Sequence, residues 1–186
     1  ADDARLAGVE WRPVVVTGRY VDEGTVQIVN RSQHGRPGEN IVTPLTRADG
    51  SVVLVNRGFV PLDEEIPPAP TGEVTVTGRL RTSEERRRGQ LTDPAEGVLE
   101  VAQRVDLDRL AAQVDGPLVP MYVDMISSEP ADGKPYPEEV LQPELTEGSH
   151  LSYAVQWFIF SGAVAVGWVL AVRRSIATHR TTQAGG

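Results

Sequence analysis

The 186-residue sequence contains no cysteine. That excludes a disulfide scaffold, thiolate zinc sites, a C-x-x-C redox pair and a thiolate nucleophile. It leaves the compartment open, because an extracytoplasmic domain can do without disulfides. Positive charge is scarce as well, with 18 Lys+Arg against 26 Asp+Glu and a formal net charge of −8. Nucleic acid is therefore not expected as a partner, since no basic stripe is available to displace counterions from phosphate. Histidine is limited to His34, His150 and His179, and methionine to Met121 and Met125. These do not form the clustered soft-ligand set that copper delivery asks for. No P-loop, G-x-G-x-x-G, H-E-x-x-H or G-x-S-x-G pattern occurs, and no nucleophile–base pair suggests a hydrolase. The chain is read as a non-enzyme.

What is present is strongly segregated. No acidic residue follows Glu147, and the first 152 residues carry a net charge of −11 while the remainder carries +3. Between them lies Tyr153 to Val172, 20 residues without a charge, about 30 Å as a helix and the thickness of a bilayer's hydrocarbon core. A buried core helix is the alternative. Only Gln156 and Ser161 interrupt the apolar run, which is long for a soluble core. Tyr153 and Trp157 sit near one end, at the level amphipathic rings prefer, and Arg173 and Arg174 close the other. The positive-inside rule then places residues 174–186 in the cytoplasm and the acidic residues 1–148 outside, with a transmembrane helix over 149–173. The run is C-terminal, so it is not a signal peptide. The opening residue, Ala1, implies a removed leader or upstream residues.

The extracytoplasmic part reads as mainly β, an antiparallel sheet or barrel-like domain with one short helix. Val74-Thr75-Val76-Thr77-Gly78-Arg79-Leu80 alternates apolar and polar, the pattern of a half-buried strand. Val14-Val15-Val16-Thr17-Gly18-Arg19-Tyr20 repeats its V-x-V-T-G-R pattern, which hints at related places in one sheet. Val26–Val29 is a further strand, and Ser51–Val55, apolar on both faces, is a central one. Ala48-Asp49-Gly50 is the turn of a hairpin joining Ile41–Thr46 to Ser51–Val60. Pro61 to Pro70 must leave the sheet. Asp106 caps a helix whose apolar face is Leu107, Leu110, Ala111 and Val114 and which Gly116-Pro117 stops. Leu118–Ile126 returns as a strand, on which Met121 and Met125 share a packing face. Residues 127–148 form an acidic, proline-rich connector of irregular structure. His34 lies in a solvated Gly/Pro loop, Glu84-Glu85-Arg86-Arg87-Arg88 reads as a solvated surface segment, and Asn30-Arg31-Ser32 matches a glycosylation sequon.

One constellation stands at the membrane boundary: His150-Leu151-Ser152-Tyr153-Ala154-Val155-Gln156-Trp157-Phe158. On a helix, His150 and Trp157 lie two turns apart, about 10 Å along the axis, and share a face with Ser161 and Trp168. Such a polar-aromatic stripe is expected to meet a partner helix or a cofactor. A neutral imidazole can ligate haem iron, and indole rings can pack on a porphyrin. The alternative is an interfacial histidine and a Trp belt without ligand. Ala163 and Gly167, on another face, would permit close helix packing.

Two segments together resemble a known family. His150–Phe160, HLSYAVQWFIF, is similar to the signature opening the second membrane helix of the Surfeit-locus family of cytochrome c oxidase biogenesis factors. Val42-Thr43-Pro44-Leu45 with Val53-Leu54-Val55-Asn56-Arg57-Gly58-Phe59-Val60-Pro61 resembles its central signature. The resemblance covers about Trp11 to Arg174. It implies an assembly or accessory factor of the haem–copper oxidase, assisting haem a insertion or stabilisation in subunit I. It also implies a first membrane helix upstream of Ala1 and both termini in the cytoplasm. Carried over, His150 is the candidate ligand of haem a iron and Trp157 its packing partner. Arg57 could pair with a haem propionate or with an acidic residue of its own domain, while Asn56 and Gly58 would shape the end of the hairpin. The expected partners are oxidase subunit I and its neighbours, a bc-type complex in a supercomplex, and the lipid bilayer. A non-haem-binding structural subunit of the oxidase or supercomplex is the alternative. With 17 Arg against one Lys, the expected location is a bacterial plasma membrane.

Overall fold

In the computed structural model, which describes residues 6–133, 135–141 and 150–183, the two V-x-V-T-G-R segments form neighbouring strands. They are β1 (Pro13–Tyr20) and β5 (Val74–Arg81), paired antiparallel with Val14 opposite Gly78, Val16 opposite Val76 and Gly18 opposite Val74. The repeat is thus folded on itself about the Val16–Val76 pair. Its glycines mark the corners. A Cβ on Gly18 would stand 2.5 Å from the Thr46 carbonyl oxygen, and one on Gly78 would collide with the Asp124 carbonyl. Neither strand could approach its other neighbour with a side chain there.

Between these strands in sequence come β2 (Val26–Gln33), β3 (Arg36–Thr46) and β4 (Val52–Pro61). After β5 follow β6 (Val101–Ala102), the short helix α1 (Leu107–Ala111) and β7 (Tyr122–Glu129). The sheet runs β1-β5-β7-β4-β3-β2-β6, and β3 also reaches β1 through Arg19–Thr46 and Tyr20–Leu45. Strands β1, β5, β7, β4 and β3 therefore close a small five-stranded barrel with Greek-key connections. Most neighbours are antiparallel, as alternation predicts, but β4–β7 and β2–β6 are parallel. The chain passes through α1 between β5 and β7, which lets β7 enter beside β4 in the same direction.

Strand β4 is buried along its whole length, so its two apolar faces serve two cores. Val53 and Val55 point into the barrel with Leu45, Val74, Val76, Val123 and Met125. Leu54 faces outward into a second layer with Val26, Ile28, Val42, Leu107, Leu110 and Tyr122. The two methionines are buried, as packing residues should be.

Several boundaries differ from the sequence reading. Strands β2 and β3 extend to a tight turn at His34-Gly35, both at positive φ, so the Gly/Pro segment is a hairpin end. Helix α1 keeps its Asp106 cap, which accepts from the Arg109 N–H at 3.1 Å, but ends at Ala111. Val114 still packs on the core, held by Gln113, whose amide bonds both the N–H and the carbonyl of Leu99. The turn at 47–51 is as expected, with Asp49 accepting from the Ser51 N–H and hydroxyl. Strand β7 runs on to Glu129, so the connector begins later than Ser127, and its residues 130–133 and 135–141 lie against the barrel.

The second unit, residues 142–186, contains helix α2 (His150–Gln183). Its stretch Ser152–Arg174 is long and apolar enough to cross a membrane, and none of it is buried within the protein. A core helix would be covered; this one is bare. The described helix also continues past Arg174 into the expected tail.

The corner glycines give a direct test. Gly18→Ala and Gly78→Ala should each destabilise the fold by about 1–3 kcal/mol through overpacking against backbone, read by urea unfolding. Leu62→Ala, on an exposed loop, should change stability by less than about 0.5 kcal/mol.

Candidate functional site

The V-N-R-G segment lies in the middle of β4, and not at the end of a hairpin. Opposite it, Ile41 pairs with Gly58 and Val42 with Asn56, which leaves Arg57 as the extra residue of a β-bulge. Gly58 supplies the φ of +136° that the bulge needs, and a Cβ there would collide with the Glu138 carbonyl. A bulge re-aims the side chain it carries. Here it turns Arg57 inward until only 1% of it is exposed.

Burying a guanidinium requires a full set of acceptors. Arg57 donates from Nε to Asp132 Oδ2 at 2.8 Å and from Nη2 to Asp132 Oδ1 at 2.7 Å. Its Nη2 also reaches the Pro67 and Pro68 carbonyls at 3.1 Å. Of the two partners weighed for Arg57, the acidic residue of its own domain is the one in contact. Beneath it, the Tyr20 ring centroid stands 5.9 Å from the guanidinium carbon. Burial pushes the Tyr20 hydroxyl well above the ordinary tyrosine pKa, Asp132 adds to this, and Arg57 opposes it.

Asp132 belongs to the connector, and further bonds hold that segment on the barrel. Phe59 and Glu138 exchange backbone hydrogen bonds at 2.8 Å. Gln33 donates to Glu138 Oε2 and to the Glu139 carbonyl, and accepts from the Leu141 N–H. The irregular connector is, over its described residues, a strap.

Asn56 opens a second network. Its Nδ2 donates to Asp124 at 2.8 Å, and Asp124 also accepts from Arg81 at 2.7 Å. Arg81 bonds Glu10 and lies 3.9 Å from the Trp11 ring centroid. Burial works against the Arg81 charge, yet Tyr122 and Asp124 more than offset it and raise its pKa. Glu84 departs from the solvated-segment reading: it pairs with Arg31 at 2.6 Å and accepts from the Val105 N–H.

On α2, Trp157, Ser161, Val164 and Trp168 fall on one side, as their spacing predicts. With Phe160 and Ala165 they line a shallow hollow of about 480 Å³. Trp157 meets Phe160 edge-on, with centroids 6.4 Å apart. Both tryptophans are 68% exposed. Half of the ten aromatic residues of the sequence lie between Tyr153 and Trp168. His150 opens the helix, but its side chain lies outside the described residues, as does that of His179. Among the described residues no group of three or more His, Asp or Glu could hold a metal ion.

These features define a small barrel domain coupled in sequence to an apolar helix that could anchor it in a membrane. In the barrel, the buried Arg57 is bonded to Asp132 of its own strap. A family model described as "SURF1 family" matches residues 1–162. An uncharacterized SURF1-like protein of Mycobacterium tuberculosis is 29% identical over 189 residues, covering 98% of this chain and 68% of the relative. Surfeit locus protein 1 of Takifugu rubripes is 28% identical over 188 residues, covering 90% of this chain and 76% of the relative. That of Rattus norvegicus is 27% identical, covering 90% and 60%. The chain belongs to the SURF1 family.

The strap predicts two behaviours. Asp132→Ala leaves a buried, unpaired guanidinium and should cost about 3–5 kcal/mol in urea unfolding. Tyr20 and Tyr122 both have folded pKa values raised by burial. The folded state then holds protons that the unfolded state releases above the ordinary tyrosine value of 10.0. Their contribution to stability is complete below that pH and lost progressively above it. Unfolding free energy measured from pH 8 to 11.5 should fall only at the upper end, and less steeply in Tyr20→Phe.

Proposed function

We propose that this chain is a membrane-anchored assembly factor of the haem–copper cytochrome c oxidase, acting without catalysis of its own. Its family is known generally for cytochrome oxidase assembly, which supports that reading. The observation that carries it is the bare aromatic stripe of α2, in which Trp157, Ser161 and Trp168 share a face on a helix of spanning length. Trp157 and Trp168 stand near the two ends of the Ser152–Arg174 stretch, at depths an interfacial belt also favours. What a belt does not require is that both share one face with Ser161.

In this reading α2 crosses a bacterial plasma membrane with Arg173 and Arg174 on the cytoplasmic side and the barrel outside. The stripe docks on subunit I of the oxidase, and on neighbouring chains of a bc-type complex where a supercomplex forms. The described residues of the stripe fit a flat apolar ring, since an aromatic hollow can cover a porphyrin face. His150 would ligate the iron of haem a and Trp157 would pack beside it, holding the pigment for transfer into subunit I. Arg57 has no part in holding the ligand; it secures the strap. The alternative is a structural accessory subunit that uses the same stripe without haem.

A mild-detergent pull-down from cells that synthesise haem a tests this. The wild-type chain should bring oxidase subunits and a haem band, and His150→Ala should lose the band while keeping the fold. Oxidase capture with no haem in either protein would favour the structural subunit. Failure to capture any oxidase subunit would overturn the proposal.

A further inference from the structure

Barrel closure is incomplete along β1. Residues 13–18 pair with β5 on one side, and β3 meets β1 only at Arg19 and Tyr20. Strand β3 stops at Thr46 and turns into the 47–51 hairpin end, so the first six of the eight residues of β1 run on beyond it. Among the described residues, nothing pairs with the other edge of that stretch. Alongside it opens a hollow of about 530 Å³ whose apolar walls include Val14, Val16, Val53, Leu80, Val119 and Val123. The edge is neither capped by proline within the run nor bulged, the usual ways of blunting it; Pro13 stands only at its start.

We infer that this edge of β1 is a docking site for an extended segment of a partner protein, added as a further strand of the barrel. An unpaired strand edge is a row of backbone donors and acceptors, and another strand is the chemistry that satisfies them. A lipid chain would fill the apolar hollow but leave those groups desolvated and unpaired, at a cost of a few kcal/mol each. Alternate apolar side chains of the incoming strand would enter the hollow beside Val14 and Val16.

The ends of the edge choose the partner. Arg12 and Arg19 are both exposed and make no ion pair among the described residues. They bracket a run of about 23 Å at the rise of a β-strand. Two copies joined antiparallel through residues 13–18 would bring Arg12 of one close to Arg19 of the other, whose own edge is taken by Thr46, an unfavourable approach of like charges at each end. A segment with carboxylates flanking an alternating apolar core meets complementary charge instead.

The probe is a synthetic octapeptide, Glu-Val-Thr-Val-Thr-Val-Thr-Glu, added to the full chain in detergent micelles. Pro13 has no N–H, and Val14, Val16 and Gly18 turn theirs toward β5, so the amides of the free edge are those of Val15 and Thr17. Their hydrogen exchange should slow at least tenfold with the peptide and be fast without it. The same peptide N-methylated at alternate bonds should protect nothing, and an Arg12→Glu/Arg19→Glu variant should bind the original at least tenfold more weakly. No protection at millimolar peptide would overturn the inference. Equal binding of the N-methylated peptide would also overturn it, because apolar filling and not strand pairing would then be at work. Concentration-dependent self-association that protects these amides without peptide would replace the partner by a second copy.

Discussion

A charged side chain in the interior of a small barrel must be surrounded by acceptors or it unfolds the barrel. Arg57 imposes that constraint here, and its surroundings can be read as the answer to it. The bulge in β4 turns the side chain inward, and Gly58 provides the backbone angle. The proline loop contributes two carbonyls, and the connector contributes Asp132. Strand β4, the loop that follows it and a connector 75 residues away are thereby tied to one guanidinium. Such a pair adds little net stability compared with apolar packing, but removing one partner is costly. What it supplies is a fixed path for the chain from β7 to Leu141.

That path ends eight residues short of the helix that opens at His150. The two units divide the work physically. The barrel buries its polar chemistry in internal pairs, Arg57 with Asp132 and Asn56 with Asp124 and Arg81. The helix does the reverse and leaves its distinctive side chains, Trp157 and Trp168 among them, without cover. Side chains this exposed are available to an external partner, and so the functional proposal rests on the helix while the barrel's open β1 edge offers a second surface.

Local pattern carried most of the fold into the sequence reading. Period-two alternation marked β1 and β5, the Asp-Gly turn marked the β3–β4 hairpin, and an apolar run on both faces marked β4 as central. The uncharged stretch before Arg173 marked the apolar helix of spanning length. What pattern could not show was non-local. Parallel pairing of β7 with β4 depends on the route through α1, and barrel closure depends on a two-residue contact between β1 and β3. The bulge moved Asn56 and Gly58 from an expected hairpin end to mid-strand. Asp132 was indistinguishable from its acidic neighbours because its role exists only once Arg57 is folded beside it. The stripe at Trp157, Ser161 and Trp168 was legible because helical spacing alone determines it, whereas His150 is placed on that face by spacing and helix register only.

The central claim is that this stripe faces an oxidase, and photo-crosslinking in native membranes tests it most directly. A photoreactive residue is placed at Ser161 or Trp168, and a control at Val166, half a turn around the helix. The account predicts covalent adducts with oxidase subunit I from the first two positions and lipid adducts from Val166. Lipid adducts alone from all three positions, or equal protein adducts from both faces, would contradict it.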